Sequence, residues 1–457
     1  MYKINFEQPV HVHFIGIGGI SMSGLAEILL KEDFRVSGSD NKESALTEHL
    51  ASLGASIFYG QKASNIIPGI DVAVYTAAIR EDNEEYREAV RQGLPMLSRA
   101  ELLGQLMTNY RMPVAVAGTH GKTTTTSMLS HILLAADLDP TISVGGILKA
   151  IGGNIRVGSS DVFVTEACEY TNSFLHFFPK IGIILNIDAD HLDFFKDLDD
   201  IRNSFRRFAE LLPEDGTLII NTCIPDLSEI TEGLACKVIT YGDDGDYSSA
   251  DIFHNERGEA SFDLLRHGTL TDRIELSVNG DHNVSNALAA IAAADLLNVP
   301  SGAVKDGLRS FGGTDRRFEL KGTVNGVTVI DDYAHHPTEI RASLAAAKNY
   351  PHREIWCIFQ PHTYTRTKAL FQDFVDVLCT AGHVIMADIY AARETDTLGI
   401  SSADIAAALK ENGCDAYYFS SFREIEDFCV RTCQTGDLLI TMGAGDVVNI
   451  GEELLKR

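Results

Sequence analysis

Residues 114–128 read VAVAGTHGKTTTTSM: an apolar run, a turn bounded by Gly118 and Gly121, then Lys122 and four threonines. The pattern predicts a buried strand, a phosphate-cradling loop and the start of a helix. Glycines let the backbone approach an anion, and the helix amides behind them point their donors at it. Gly118, Thr119, His120, Gly121, Lys122, Thr123 and Thr124 are the expected phosphate contacts, with Lys122 supplying charge and Thr123 a hydroxyl for Mg²⁺. The general phosphate-loop pattern asks for glycine five positions before Gly121, where this chain has Val116, so the loop is the shorter Gly-Thr-His-Gly-Lys-Thr. The plainer alternative is a Gly/Thr-rich turn between a core strand and a helix.

The chain around it has 457 residues, too many for one ordinary core, and its 45% hydrophobic and 22% charged content is that of a globular protein. About three domains are expected. A formal charge of −26 argues against a nucleic-acid surface, which needs clustered Lys and Arg. No apolar run is long enough to span a bilayer, and the start, MYKINFEQPV, lacks a signal peptide's basic and apolar regions. A cytoplasmic protein without membrane insertion is expected. Its eight cysteines form no Cys-x-x-Cys pair, which suits reduced thiols better than a disulfide framework or a zinc site. Cys429 and Cys433 share a helix face, where packing is the expected role.

Towards the N-terminus, residues 11–17 read as an apolar strand that runs into GIGGISMSG, and Asp40 ends a second strand 24 residues after Gly16. This is the pattern of a dinucleotide-binding βαβ unit, although Ser21 stands where a third glycine is usual. A tight turn without a ligand is the alternative. Further strand and helix alternation predicts a parallel-sheet domain over residues 1–108.

Beyond the phosphate loop, residues 161–169 (DVFVTEACE) and 180–195 (KIGIILNIDADHLDFF) read as apolar strands ending in acids or histidine. Ligands of open α/β sheets sit at the carboxyl ends of strands, so Glu166, Asp188 and His191 are expected beside the loop. Oxygen donors there suit Mg²⁺ better than zinc; a capping or ion-paired role is the alternative for Glu166. Short strands follow over 216–278, then a helix whose entrance carries His282, Asn283 and Asn286, residues equally suited to capping or to an adenine edge. FGGTDRRFELKG, 311–322, reads as a boundary whose arginines either clamp a phosphate or form a solvated pair. A third strand–helix region places two polar loops, DDYAHHPT and QPHTYTRT, at strand ends.

HFIGIGGISMSGLAEIL, EACEYTNSFL, NIDADHLD, HNVSNALAA, FGGTDRRFE, DDYAHHPTEI and QPHTYTRT, with the Gly-Thr-His-Gly-Lys-Thr loop, resemble the Mur ligases over essentially the whole chain. These are ATP-dependent enzymes that add amino acids to the peptidoglycan precursor, and the marks fit the alanine-adding branch. The resemblance implies three α/β domains: a Rossmann-like UDP-binding domain (1–108), a central P-loop ATPase-like domain with a mainly parallel sheet (109–318) and a Rossmann-like C-terminal domain (319–457). It implies UDP-N-acetylmuramate and L-alanine as substrates, ATP and Mg²⁺ as cofactors, and a monomer or homodimer. Gly16, Gly18, Gly19 and Ser21 would hold the UDP diphosphate, with Asp40 near the uridine. Thr123, Glu166 and His191 match the metal positions; His282, Asn283, Asn286, Arg317 and Asp332 match the ATP side. Tyr333, His335 and Arg366 match positions for the incoming amino acid. Many relatives read Glu-Ala-Asp-Glu-Ser where this chain has Glu166-Ala-Cys-Glu-Tyr, so no role follows for Cys168. No lysine follows the NIDADH stretch in IRNSFRRFAELL, where other branches use a carbamylated one.

The implied reaction is ADP-forming amide synthesis through an acyl phosphate. Lys122 would offset the γ-phosphate charge, Arg366 would hold the amino-acid carboxylate, and His335 or a neighbouring acid would take the amine proton. Lys122, His191, His335 and Arg366 are thus the expected catalytic set. A recycling ligase that joins a preformed peptide to UDP-N-acetylmuramate is the nearest alternative. A nicotinamide oxidoreductase and a regulatory nucleotide-binding protein without turnover are more distant ones.

Overall fold

The computed structural model describes residues 2–76, 78–392 and 394–457. The chain forms two compact units, the first made of residues 1–187, 199–241 and 289–307, the second of 188–198, 242–288 and 308–457.

The first unit holds two sheets. Strands β1 (His11–Ile15), β2 (Arg35–Asp40), β3 (Ser56–Tyr59), β4 (Val72–Tyr75) and β5 (Met96–Ser98) form an all-parallel sheet in the order β3-β2-β1-β4-β5. The order reverses at β1, and the glycine loop leaves β1 at that point, where open sheets place ligands. The helix after the loop is Ile20–Lys31.

The second sheet contains β6 (Met112–Ala117), β7 (Thr141–Leu148), β8 (Gly153–Arg156), β9 (Val162–Ala167), β10 (Ile181–Ile184), β11 (Thr217–Asn221) and β12 (Lys237–Tyr241), in the order β12-β11-β10-β6-β9-β7-β8. Only β7 and β8 pair antiparallel within it. Val114–Ala117 and Ile183–Ile184 are fully buried, which is why these strands are continuously apolar instead of alternating. The apolar run 180–195 is not one strand: β10 ends at Ile184, and the chain continues irregularly to the helix Leu198–Ala209.

Two glycines seat the β1–β5 sheet against the second one. A Cβ on Gly24 of the helix Ile20–Lys31 would overlap Ile155 of β8, and one on Gly104 of the helix Arg99–Met107 would overlap the His176 carbonyl. No other residue permits these approaches.

The second unit carries an antiparallel meander, β13 (Tyr247–His254), β14 (Glu259–Arg266) and β15 (Thr269–Asn279). It also carries the C-terminal sheet of β16 (Glu319–Val324), β17 (Val327–Asp332), β18 (Ile355–Phe359), β19 (His383–Met386), β20 (Asp415–Tyr418) and β21 (Leu438–Met442). The order is β16-β17-β21-β18-β19-β20, parallel except for β16 against β17. Both faces are apolar: Phe359, Phe374 and Leu378 pack on one side, Trp356, Ile358 and Ile450 on the other.

The expectation of eight reduced thiols is corrected. Cys379 and Cys414 are joined by a disulfide, with Cα atoms 5.6 Å apart. Their sequence separation of 35 conceals the pair; Cys379 closes the helix Phe371–Leu378, and Cys414 leads into β20. Cys429 and Cys433 pack against the Trp356 face, as their helical spacing suggests.

Candidate active site

At the end of β6 the chain turns on two glycines with positive φ, Gly118 at 148° and Gly121 at 82°, a region that side chains with a Cβ disfavour. Gly121 caps the helix Lys122–Ala135. A Cβ on Gly118 would also come within 2.9 Å of Leu185 Cβ, so the loop can lie against the end of β10 only with glycine there. Asn186 fixes the loop's crest: its Oδ1 accepts from His120 N (2.8 Å), its Nδ2 donates to His120 O (3.0 Å), and its carbonyl accepts from Thr119 N (3.2 Å). Sequence reading missed Asn186, which carries no local pattern beyond its place in NIDADH.

Lys122 folds back over the loop. Its Nζ donates to the Gly118 and Thr119 carbonyls and lies 2.9 Å from Glu169 Oε2. Burial opposes the ammonium charge, but Glu169, with Cys168 and Glu166 adding to it, more than offsets this and holds the pKa above the usual lysine value. Lys122 is thus a fixed cation at the mouth of the loop.

Thr123 and Glu166 lie under one backbone cradle. Gly145 N donates to Glu166 Oε1; a Cβ on Gly145 would meet Glu166 Oε2 at 2.8 Å, and one on Gly146 would meet Thr123 Cγ2 at 3.3 Å. The Gly-Gly of β7 therefore makes room for the Glu166 carboxylate and the Thr123 side chain, whose carboxylate and hydroxyl are the hard oxygen donors that suit a divalent cation such as Mg²⁺. Gly145 and Gly146 were also not foreseen; a Gly-Gly inside a strand is the available signal.

On the β1 side, Gly16 takes φ 88° and Gly18 N donates to Asp40 Oδ2 at 2.9 Å. A Cβ on Gly18 would meet that carboxylate at 2.8 Å, so Asp40 shapes the loop as well as facing it. Gly19 caps the helix that Ile20 begins, and Ser21 accepts a hydrogen bond from Arg99 Nη1 at 3.2 Å.

The second unit holds the remaining candidates. At the start of the helix Asp281–Leu296, Asn283 Nδ2 donates to Asn279 O (2.7 Å) and Asn286 Nδ2 to Asn283 Oδ1 (3.0 Å), while partial desolvation lowers the pKa of His282, a residue that still reaches solvent. The two boundary arginines both lie by the Tyr333 ring, Arg316 at 5.0 Å from its centroid, but take different polar partners. Arg316 is anchored by Asp331 (3.0 Å) and the Gly443 carbonyl (2.7 Å). Arg317 reaches Glu339 only at 3.8 Å and lies 5.1 Å from the Tyr333 ring centroid. Asp332 is buried and knits the boundary to the C-terminal sheet, accepting from Ala334 N (2.8 Å), Ser343 Oγ (2.7 Å) and Phe318 N (3.2 Å). Burial nonetheless pushes its pKa up to about 6.

His335 Nδ1 faces the Tyr333 carbonyl at 3.0 Å, which fixes the proton there and leaves Nε2 as the acceptor. Burial lowers its pKa to about 4, so the ring is neutral at pH 7. Arg366 rides on the short helix Tyr364–Ala369, whose first amides are capped by Glu394 (2.7 and 3.0 Å). Its Nε and Nη2 both meet Asp190 Oδ1, and its Nη1 lies 3.1 Å from His362 Nδ1. His191, next to Asp190, takes a left-handed φ of 54°. The structure thus brings Tyr333, His335 and Arg366 together with His362 and Asp190 in the second unit. It brings Lys122, Thr123 and Glu166 together with Glu169 in the first.

Three family models match successive parts of the chain: the Mur ligase family catalytic domain over residues 11–111, the Mur ligase middle domain over 116–294, and the Mur ligase glutamate ligase domain over 316–445. The UDP-N-acetylmuramate–L-alanine ligase of Agathobacter rectalis is 60% identical over the whole of both chains. Among solved structures, the UDP-N-acetylmuramate-alanine ligase of Thermotoga maritima is 31% identical with a TM-score of 0.79, over 98% of this chain and 99% of that one. A murein peptide ligase from Psychrobacter arcticus is 26% identical with a TM-score of 0.67, over 98% of each chain. Three family models in succession between residues 11 and 445, together with full-length 60% identity to a relative, show that the chain belongs to the Mur ligase family.

Proposed function

We propose that the chain joins L-alanine to the lactyl carboxylate of UDP-N-acetylmuramate at the expense of ATP, releasing ADP and phosphate, as a step of peptidoglycan precursor synthesis. The observation that carries this reading is the full-length 60% identity to an alanine-adding relative. The fixed Lys122–Glu169 pair at the mouth of a glycine-bounded loop agrees with it.

In this reading Gly118 to Thr124 grip the ATP phosphates, and Asn186 keeps the loop amides aimed before the nucleotide arrives. Such preorganisation is what phosphoryl transfer asks of a protein. Lys122 places its charge where negative charge gathers as the sugar carboxylate is phosphorylated. Thr123 and Glu166 would hold Mg²⁺, with His191 as a further ligand, and the ion when bound offsets phosphate charge. His282, Asn283, Asn286, Arg317 and Asp332 serve the nucleotide, the last by anchoring the boundary. Gly16, Gly18, Gly19, Ser21 and Asp40 serve the UDP moiety. Arg366 takes the alanine carboxylate, Tyr333 borders it, and His335 accepts the amine proton at Nε2. The domain limits 1–108, 109–318 and 319–457 and a cytoplasmic location belong to the same reading. No helix among the described residues is long and apolar enough to cross a membrane.

The test is ADP release with ATP, Mg²⁺ and UDP-N-acetylmuramate, scanned over L-alanine, glycine, L-serine and a muropeptide tripeptide. L-Alanine is expected to give the highest kcat/KM. Preference for the tripeptide would replace this reading with that of a recycling ligase.

A further inference from the structure

We propose that Arg99 binds an oxyanion of the sugar-nucleotide substrate between the glycine loop and the phosphate loop; this rests on the function proposed above. Arg99 is the first residue of the helix Arg99–Met107, whose Ser98 cap and Glu101 form a reciprocal capping box. A cation at a helix N-terminus opposes the helix dipole, so the position is electrostatically unfavourable for the fold by itself. The guanidinium is nevertheless half-buried, sheltered enough to lower its pKa, and no carboxylate pairs with it among the described residues. Of its five N–H donors, one is used, in the 3.2 Å bond to Ser21 Oγ. A sheltered, largely unused fork of donors at an electrostatically unfavourable position is what an anion-binding arginine looks like before its ligand arrives.

Its surroundings define the ligand. Ser21 lies in the first turn of the 12-residue helix Ile20–Lys31, whose Ile20, Ser21 and Met22 amides have no helical acceptor. Cys168 neighbours both Arg99 and Lys122. Arg99 therefore touches an anion-receptive helix start at Ser21 and shares the neighbour Cys168 with Lys122. The Gly24–Ile155 and Gly104–His176 approaches hold it there. A diphosphate seated on the helix start and a carboxylate reaching for Lys122 share the chemistry that Arg99 recognises: a planar or tetrahedral oxyanion taking two N–H donors.

The experiment uses the full-length Arg99→Met and Arg99→Lys variants, with calorimetric titration of UDP, UDP-N-acetylglucosamine and UDP-N-acetylmuramate and the KM of each substrate. Arg99→Met is expected to raise the UDP-N-acetylmuramate KM at least tenfold and leave those for ATP and L-alanine within twofold. Arg99→Lys is expected to fall between. Equal weakening of all three UDP ligands identifies the diphosphate; weakening of UDP-N-acetylmuramate alone identifies the carboxylate. Unchanged titrations, or an equal rise in every KM with a lowered melting midpoint, would overturn the proposal in favour of a packing role. Failure of the unmodified chain to bind UDP-N-acetylmuramate would instead overturn the functional reading.

Discussion

Arg366 closes its Nε–Nη2 edge on a single oxygen of Asp190, at 3.2 and 2.9 Å, across 176 positions of sequence. With Nη1 spent on His362, two N–H donors remain, one on each terminal nitrogen, enough for one bidentate carboxylate. Asp190 therefore orients the arginine and leaves it a free edge. The carboxylate pays for its burial through Arg366 and the neighbouring histidines, which hold its pKa well below the usual range. By linkage, its stabilising contribution is present above the ordinary Asp pKa and is lost only as pH falls through the lower folded value. Arg366→Lys keeps the charge but not the fork, and the L-alanine KM should rise roughly tenfold, about 1.4 kcal/mol. Asp190→Asn should raise the same KM and leave that of ATP unchanged; a change confined to ATP would remove Arg366 from amino-acid binding.

Lys122 has two carbonyls and Glu169 to hold it, so its position precedes the nucleotide. Lys122→Met should lower the rate of ADP formation by roughly 10²–10³ or more, the scale of losing one charged donor to a developing oxyanion. Glu169→Gln should act more mildly. Burial then opposes the ammonium with less to offset it, the lysine pKa falls, and activity should decline with rising pH earlier than in the unmodified chain. Coincident pH profiles for the two would show that Glu169 does not set the charge of Lys122.

The phosphate loop was legible because three local signals coincide: an apolar run, glycines at two turn positions and a lysine at a helix start. The alanine-rich helix after His282 was legible for the same reason. What escaped were single residues with distant partners. Asn186 serves a loop 66 positions earlier, Gly145 accommodates a carboxylate 21 positions later, and Arg99 meets a serine 78 positions earlier. None leaves a periodic trace. The overlong reading of 180–195 has the same origin. Its apolar pattern runs on after Ile184, but Asn186 is drawn to the loop and His191 adopts a left-handed turn, and ladder pairing stops.

The Cys379–Cys414 bridge makes a second kind of prediction. Closing a loop with a separation of 35 residues stabilises by about 4 kcal/mol in the chain-entropy account. Cys379→Ser should lower the denaturant midpoint under oxidising conditions, and excess dithiothreitol should bring the unmodified chain to the same midpoint. A variant indistinguishable from the unmodified chain without reductant would mean that the bridge does not form in solution. Turnover should change little, because neither sulfur lies among the residues assigned to the reaction.

An exposed histidine and a buried carboxylate in the second unit, His282 and Asp332, should titrate in opposite directions. His282 has its pKa lowered to about 4, so between pH 6.5 and 4 the unfolded chain gains a proton that the folded one refuses. Its contribution is complete above pH 6.5 and weakens as pH falls, by an amount that solvent around the exposed ring reduces. Asp332 runs the other way. With its pKa raised to about 6, the folded chain takes up a proton that the unfolded carboxylate does not yet hold, and stability rises by about 2 kcal/mol as pH drops from 7 to 4. His282→Asn should therefore flatten the acid side of the stability curve, and Asp332→Asn should steepen it, in urea titrations at pH 7 and 4. Parallel curves for both variants would mean that neither group titrates away from its ordinary value.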